Sequence, residues 1–195
     1  MNPYAQLECF SEGLTKQNIA RFFAGPPKLD IIIDEVDHLG VKYLIRDEAK
    51  KRRIPVVMAA DNGENIVVDI ERYDQKPQPA YFHGRIGAVT YEYLTTLDKR
   101  TIGKTIARHI GFRNIPSRML ISLSAIGKTI VSWPQLGGAA VLNGPAVAYC
   151  VRRILNRQPL EDNRALISLD EKLLPKRVAL QEERARIKAL RIFQK

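Results

Sequence analysis

Several kinds of signal are scarce in this chain of 195 residues, and each scarcity argues against a class of function. Cysteine occurs twice, at Cys9 and Cys150, far apart and without metal-ligand spacing, which disfavours a disulfide scaffold or a zinc site. No run approaches the ~20 consecutive apolar residues that a spanning helix needs. Met1-Asn2-Pro3-Tyr4 leads into alternating residues instead of the apolar block of a secretory signal, so a cytoplasmic protein is expected. His38, His83 and His109 do not stand at metal-ligand spacing. Ser132 lacks the Gly-x-Ser-x-Gly setting of a hydrolase nucleophile. Repeats and low-complexity segments are missing, and 45% hydrophobic residues with 27% charged ones describe an ordinary packed domain.

One further absence is regional. Residues 99–160 contain ten Lys/Arg and no Asp or Glu, whereas residues 1–98 carry twelve Lys/Arg against fifteen Asp/Glu. The last 35 residues hold nine against six, so the whole excess of the +10 net charge sits in the middle segment. Such a field attracts nucleic acid, nucleotide phosphates or an acidic protein, or it is a solvated face that balances an acidic neighbour. Aromatic side chains suited to stacking bases are few and scattered there (Phe112, Trp133, Tyr149), which ranks nucleic acid last.

The apolar periodicity predicts alternating strands and helices. Tyr4 to Phe10 alternates like a strand, and a helix opens at Thr15 and stops at Gly25-Pro26-Pro27. Leu29 to Asp34 is a β-branched run of the kind that forms a parallel strand buried on both faces. A helix over Val41 to Arg53 ends on basic residues, and Ile54 to Ala60 is the next strand. After the turn Asp61-Asn62-Gly63-Glu64, Ile66 to Ile70 follows as a strand, with an antiparallel return possible. Helices are expected over roughly 88–97, 101–111, 117–127 and 137–156, the last kinked or broken at Pro145. Arg164 to Asp170 reads as a short strand, and residues 171–195 as a charged tail, helical or frayed at the surface.

The sharpest local feature is Asp34-Glu35-Val36-Asp37 at the end of the most buried strand. Ligands of open parallel sheets bind outside the carboxyl ends of the strands, and carboxylates placed there can hold magnesium together with phosphate oxygens. The same acids can cap the following helix, with Asp37 best placed to do so. Cys9 in a strand and Cys150 in an apolar helix read as small buried hydrophobes, not nucleophiles.

The passage from Asn2-Pro3-Tyr4 through Asp34-Glu35-Val36-Asp37-His38 to Lys42, and on to Ile54-Pro55-Val56-Val57, resembles the ThiF/MoeB/ubiquitin-activating superfamily. Ser132-Trp133-Pro134-Gln135-Leu136 and the helix after it look like that family's closing helix, particularly in bacterial ThiF-like domains of larger proteins with nitroreductase-like partners. The resemblance spans roughly residues 2–170. It implies an α/β fold with a partial Rossmann-like, mostly parallel sheet followed by a helical segment. It also implies ATP and Mg2+ as cofactors and adenylation of the terminal carboxylate of a ubiquitin-like or sulfur-carrier protein. Asp37 matches the family's magnesium-coordinating position, Asp34 lies beside it as a further cofactor-binding candidate, and Lys42 stands where arginine is common. His38 replaces the usual asparagine, and lysine at 42 keeps the charge without bidentate phosphate geometry. The family's Gly-rich nucleotide turn and Cys-x-x-Cys zinc pairs are not found in the chain. The expectation is therefore a domain at residues 1–170 that lacks its nucleotide-binding half, completed by a homodimer partner or a separate half. The alternative is a non-enzymatic module that binds a partner through the basic 99–160 face.

Overall fold

The computed structural model describes residues 3–131 and 134–194. The strand-start residue Asn2 and the pair Ser132-Trp133 lie outside the described residues. The chain runs through α1 (Ile19–Ala24), β1 (Ile32–Ile33), α2 (Leu39–Arg52), β2 (Val56–Asn62) and β3 (Asn65–Glu71). It continues through α3 (Tyr91–Thr95), α4 (Lys99–Ile110), α5 (Ser117–Ala125), α6 (Gly137–Leu155), β4 (Asn163–Ile167), α7 (Leu169–Leu173) and α8 (Lys176–Phe193).

The fold is mixed α/β around one four-stranded sheet in the order β1-β2-β3-β4. The mostly parallel sheet expected from the sequence is corrected here. Only β1 and β2 run parallel, whereas β2 with β3 and β3 with β4 are antiparallel. The reason is local. Gly63 and Glu64 alone connect β2 to β3, and Gly63 at φ +68° permits the tight hairpin that a parallel crossover of a dozen residues would not. The α2 crossover is therefore the single parallel connection among the described strands.

Two other expectations are corrected. Residues 4–10 form no strand: Tyr4 and Leu7 are largely exposed, so the alternation has no core to face. The run 29–34 shortens to Ile32–Ile33, the two residues that find register partners in Val56 and Val57. Helix α6 runs without a break through Pro145, whose ring sits on the exposed side.

Helices cover both faces of the sheet. Ile66, Val68 and Ile70 of β3 pack with Val57 and Ala59 of β2 against Ala139, Val147 and Cys150 of α6. On the opposite face Val56 meets Leu44, Ile45 and Ala49 of α2. Farther along that face Val67 packs on Ala107, Leu120 and Phe193 from α4, α5 and α8. Helix α8 is thus docked into the core through Ala189 and Phe193.

Candidate functional site

Helix α2 begins where β1 ends, so the segment 34–38 crosses the carboxyl edge of the only parallel pair among the described strands. Asp34 N–H donates to Val57 O at 2.9 Å, which holds the end of β1 against β2. His38 caps α2, its Nδ1 accepting from Val41 N–H at 3.3 Å. The cap expected of Asp37 therefore belongs to His38.

The structure separates the three residues singled out by the sequence. Asp34 and Lys42 come together, Lys42 Nζ lying 3.1 Å from Asp34 Oδ1. The other oxygen of Asp34 meets Arg46 Nη1 at 2.6 Å, and the carboxylate has no exposed surface. Burial by itself would raise the Asp34 carboxyl, but Arg46 and Lys42 more than offset it and hold it below the ordinary range. For Lys42 burial outweighs the attraction of Asp34, so its ammonium loses its proton more readily than an ordinary lysine. Asp37 stays apart from this cluster: it is exposed and, among the described residues, makes no hydrogen bond or ion pair.

Arg46 was not legible as a site residue, yet it is the centre of this region. Its Nε lies 2.7 Å from Glu71 Oε2, and its guanidinium sits 4.0 Å from the centre of the Phe82 ring. Glu71 also accepts from Tyr73 OH at 2.6 Å and from Phe82 N–H at 2.7 Å. Burial first, then the adjacent Glu71 carboxylate, pushes the Tyr73 phenol well above its ordinary value. Phe82 and His83 both adopt left-handed backbone, φ +53° and +52°, a costly pair for residues with side chains. That conformation delivers the Phe82 amide to Glu71 and its ring to Arg46.

A third buried carboxylate lies two residues before Glu71 on the same face of β3. Asp69 Oδ2 is 2.7 Å from His109 Nε2, and its Oδ1 is 3.0 Å from Arg164 Nε and 3.5 Å from His83 Nε2. His83 Nδ1 in turn lies 3.5 Å from Asp162 Oδ2. Burial pushes the Asp69 carboxyl up, but the His109 hydrogen bond and the charges around it prevail and hold it low. Two histidines beside two carboxylates are metal-binding residue types, but no group of three or more such side chains among the described residues could hold an ion. The guanidinium on Asp69 supplies the counter-charge instead. One sequence signal could have found part of it: Asp69 and Glu71 alternate within an apolar strand, and acids on one buried face require cations above them.

Magnesium-bound ATP finds only part of a site in these residues. Asp34 has both oxygens committed to cations, which leaves Asp37 as the one candidate carboxylate able to reach a metal. Glu35 and Asp61 stand at the same edge of the sheet, each with one oxygen already engaged. Glu35 Oε1 accepts from Ala59 N–H at 3.3 Å, and Asp61 Oδ1 accepts from Asn143 Nδ2 of α6. Burial pushes both of these carboxyls up. Magnesium can bind through a single protein carboxylate when phosphate and water supply the rest. The Asp37 position fits that limited role, and the described residues offer no glycine-rich backbone cradle for the phosphates.

Comparison with known proteins yields one relative, an uncharacterized protein of Mycobacterium tuberculosis (strain CDC 1551 / Oshkosh). It is 32% identical over 185 residues, which cover 91% of this chain and 25% of the relative. The chain thus spans about a quarter of the length of the curated relative it matches. No protein-family model and no solved structure matches it.

Proposed function

We propose that the chain is the carboxyl-terminal half of a ThiF-type adenylate-forming domain, in which Asp37 offers one carboxylate to a magnesium-bound nucleotide held mainly by another segment or polypeptide. The observation that carries the reading is the placement of Asp37. It stands unpartnered just outside the carboxyl end of the parallel strand β1, at the mouth of the β1-α2-β2 crossover. The buried pairing of Asp34 with Arg46 and Lys42 anchors the segment that presents it. In this reading Asp34 and Lys42 are positioning residues. The partial Rossmann-like character is confined to the crossover, and the antiparallel strands β3 and β4 extend the sheet beyond it. When bound, the nucleotide would supply the adenylyl group for the terminal carboxylate of a ubiquitin-like or sulfur-carrier protein. The nucleotide half would come from a second copy, a separate chain or a longer polypeptide.

ATP–pyrophosphate exchange by a polypeptide that joins this chain to a nucleotide-binding half tests the reading. Asp37→Ala abolishes exchange while the unfolding free energy stays within about 0.5 kcal/mol, because the residue is exposed and unpaired. Exchange that persists in that variant removes Asp37 from the chemistry. The competing reading, a module that binds a partner through its basic face without nucleotide turnover, predicts no exchange in any such polypeptide.

A further inference from the structure

The structure gathers part of the basic segment around one cavity. Helix α4 opens on Lys99 and Arg100, and Lys128 sits on the turn after α5, across which Ile126 and Ile130 bridge. These three cations rim a cavity of about 420 Å³ whose floor is Leu123, Ile126, Ile192 and Phe193. The rim residues are exposed and, among the described residues, engage in no ion pair. Asp98 also borders the cavity, but its Oδ1 accepts from Thr101 N–H at 2.7 Å and caps α4. The amino end of the helix is therefore already satisfied, and the excess positive charge belongs to the side chains.

We propose that this cavity docks an acidic peptide segment of a partner protein. One apolar side chain of the guest seats on the floor, and flanking carboxylates meet Lys99, Arg100 and Lys128. Charge complementarity selects an acidic guest, since Lys99, Arg100 and Lys128 border the cavity against the single carboxylate of Asp98. The floor selects a peptide over nucleic acid: its side chains are the aliphatic Leu123, Ile126 and Ile192 and the buried Phe193, with no exposed ring on which bases could stack. The site uses none of the residues around Asp37, so it stands or falls separately from the nucleotide reading.

Fluorescence anisotropy tests the proposal with a fluorescein-labelled octapeptide in which acidic residues flank a single phenylalanine. Binding is expected to saturate below about 1 mM and to weaken roughly tenfold when serine replaces that phenylalanine. The K99E/R100E double variant weakens binding about tenfold. It keeps its fold, since glutamate suits the first turn of a helix. The matched K176E/R177E variant makes the same charge change in the exposed first turn of α8, the end of that helix opposite Ile192 and Phe193, and changes binding less than about twofold. Lys128→Glu, on the turn, is the second probe should circular dichroism show the α4 double variant unfolded. No saturation, equal losses in both double variants, or equal affinity for the serine peptide would each overturn the proposal. So would displacement of the peptide by an oligothymidylate octamer at lower concentration than by unlabelled peptide.

Discussion

Replacing Arg46 with methionine removes a cation that touches two buried carboxylates at once. Asp34 and Glu71 lie 2.6 Å and 2.7 Å from its guanidinium, and the exposed fractions of the three side chains are 0%, 1% and 0% for Asp34, Glu71 and Arg46. Methionine fills much of the same volume, so the loss is electrostatic more than steric. Removing one partner of a buried pair costs about 3–5 kcal/mol, because the other charge is left without compensation. The lost contact with the Phe82 ring adds to that figure. A cost of about 4 kcal/mol at pH 7, with a urea slope of roughly 2.5 kcal/mol per molar, moves the unfolding midpoint down by about 1.6 M. The pH dependence separates this cause from simple cavity formation. In the native protein Asp34 is held below its ordinary range, so its stabilisation is complete at neutral pH and persists until the pH falls through that lowered value. In the variant, burial acts on Asp34 without the offset of Arg46, so its carboxyl rises and protonation on acidification relieves the buried charge. The difference between variant and native protein should therefore shrink by more than about 1 kcal/mol between pH 7 and pH 5. A loss below about 1 kcal/mol, or one equal at both pH values, would mean that Arg46 does not neutralise these buried carboxylates.

Asp69→Asn should cost about 3 kcal/mol at pH 7, since His109 and Arg164 lose their charged partner. Because the native Asp69 carboxyl is held low, its contribution is present above about pH 4 and is lost as the pH falls through the folded value; the variant should show a flatter acid limb in chemical denaturation. Phe193→Ala should lower stability by about 3 kcal/mol, read as a midpoint shift in thermal unfolding, because the ring is buried among α4 and α5 side chains; a loosely attached tail would lose nothing. Gly63→Ala should cost about 1–2 kcal/mol in the same assay, since its φ of +68° disfavours a side chain and the added carbon would stand 3.1 Å from Pro116 Cγ.

Much of the scaffold was legible where periodicity and burial coincide. The helices over 41–53, 101–111 and 137–156 and the strands over 54–60 and 66–70 read correctly because each carries an apolar stripe that a neighbour covers. The segment 4–10 failed for the converse reason: alternation signals a strand only where a neighbouring strand and a core accept it. Sheet direction turned on Gly63 and the shortness of its turn, a stronger constraint than the alternation of elements that suggested parallel pairing. Of the site, the segment 34–37 was visible because acids after a buried strand stand out locally. The Arg46 and Asp69 networks were not, since their members come from α2, β3, β4, α4 and the loop at 81–84, and no local pattern joins them. His83 and His109 looked idle by spacing, but the fold places both on Asp69 from different elements.

On the proposed reading, Asp37 would offer the free carboxylate of a nucleotide-linked cation site. Amide NMR spectra of this chain, isotope-labelled within a polypeptide that joins it to a nucleotide-binding half, are recorded with ATP and a small amount of Mn2+, because the paramagnetic ion broadens resonances nearest its ligand. Broadening centred on residues 35–40 that disappears in Asp37→Asn is expected. Broadening centred elsewhere, or undiminished in that variant, would contradict it.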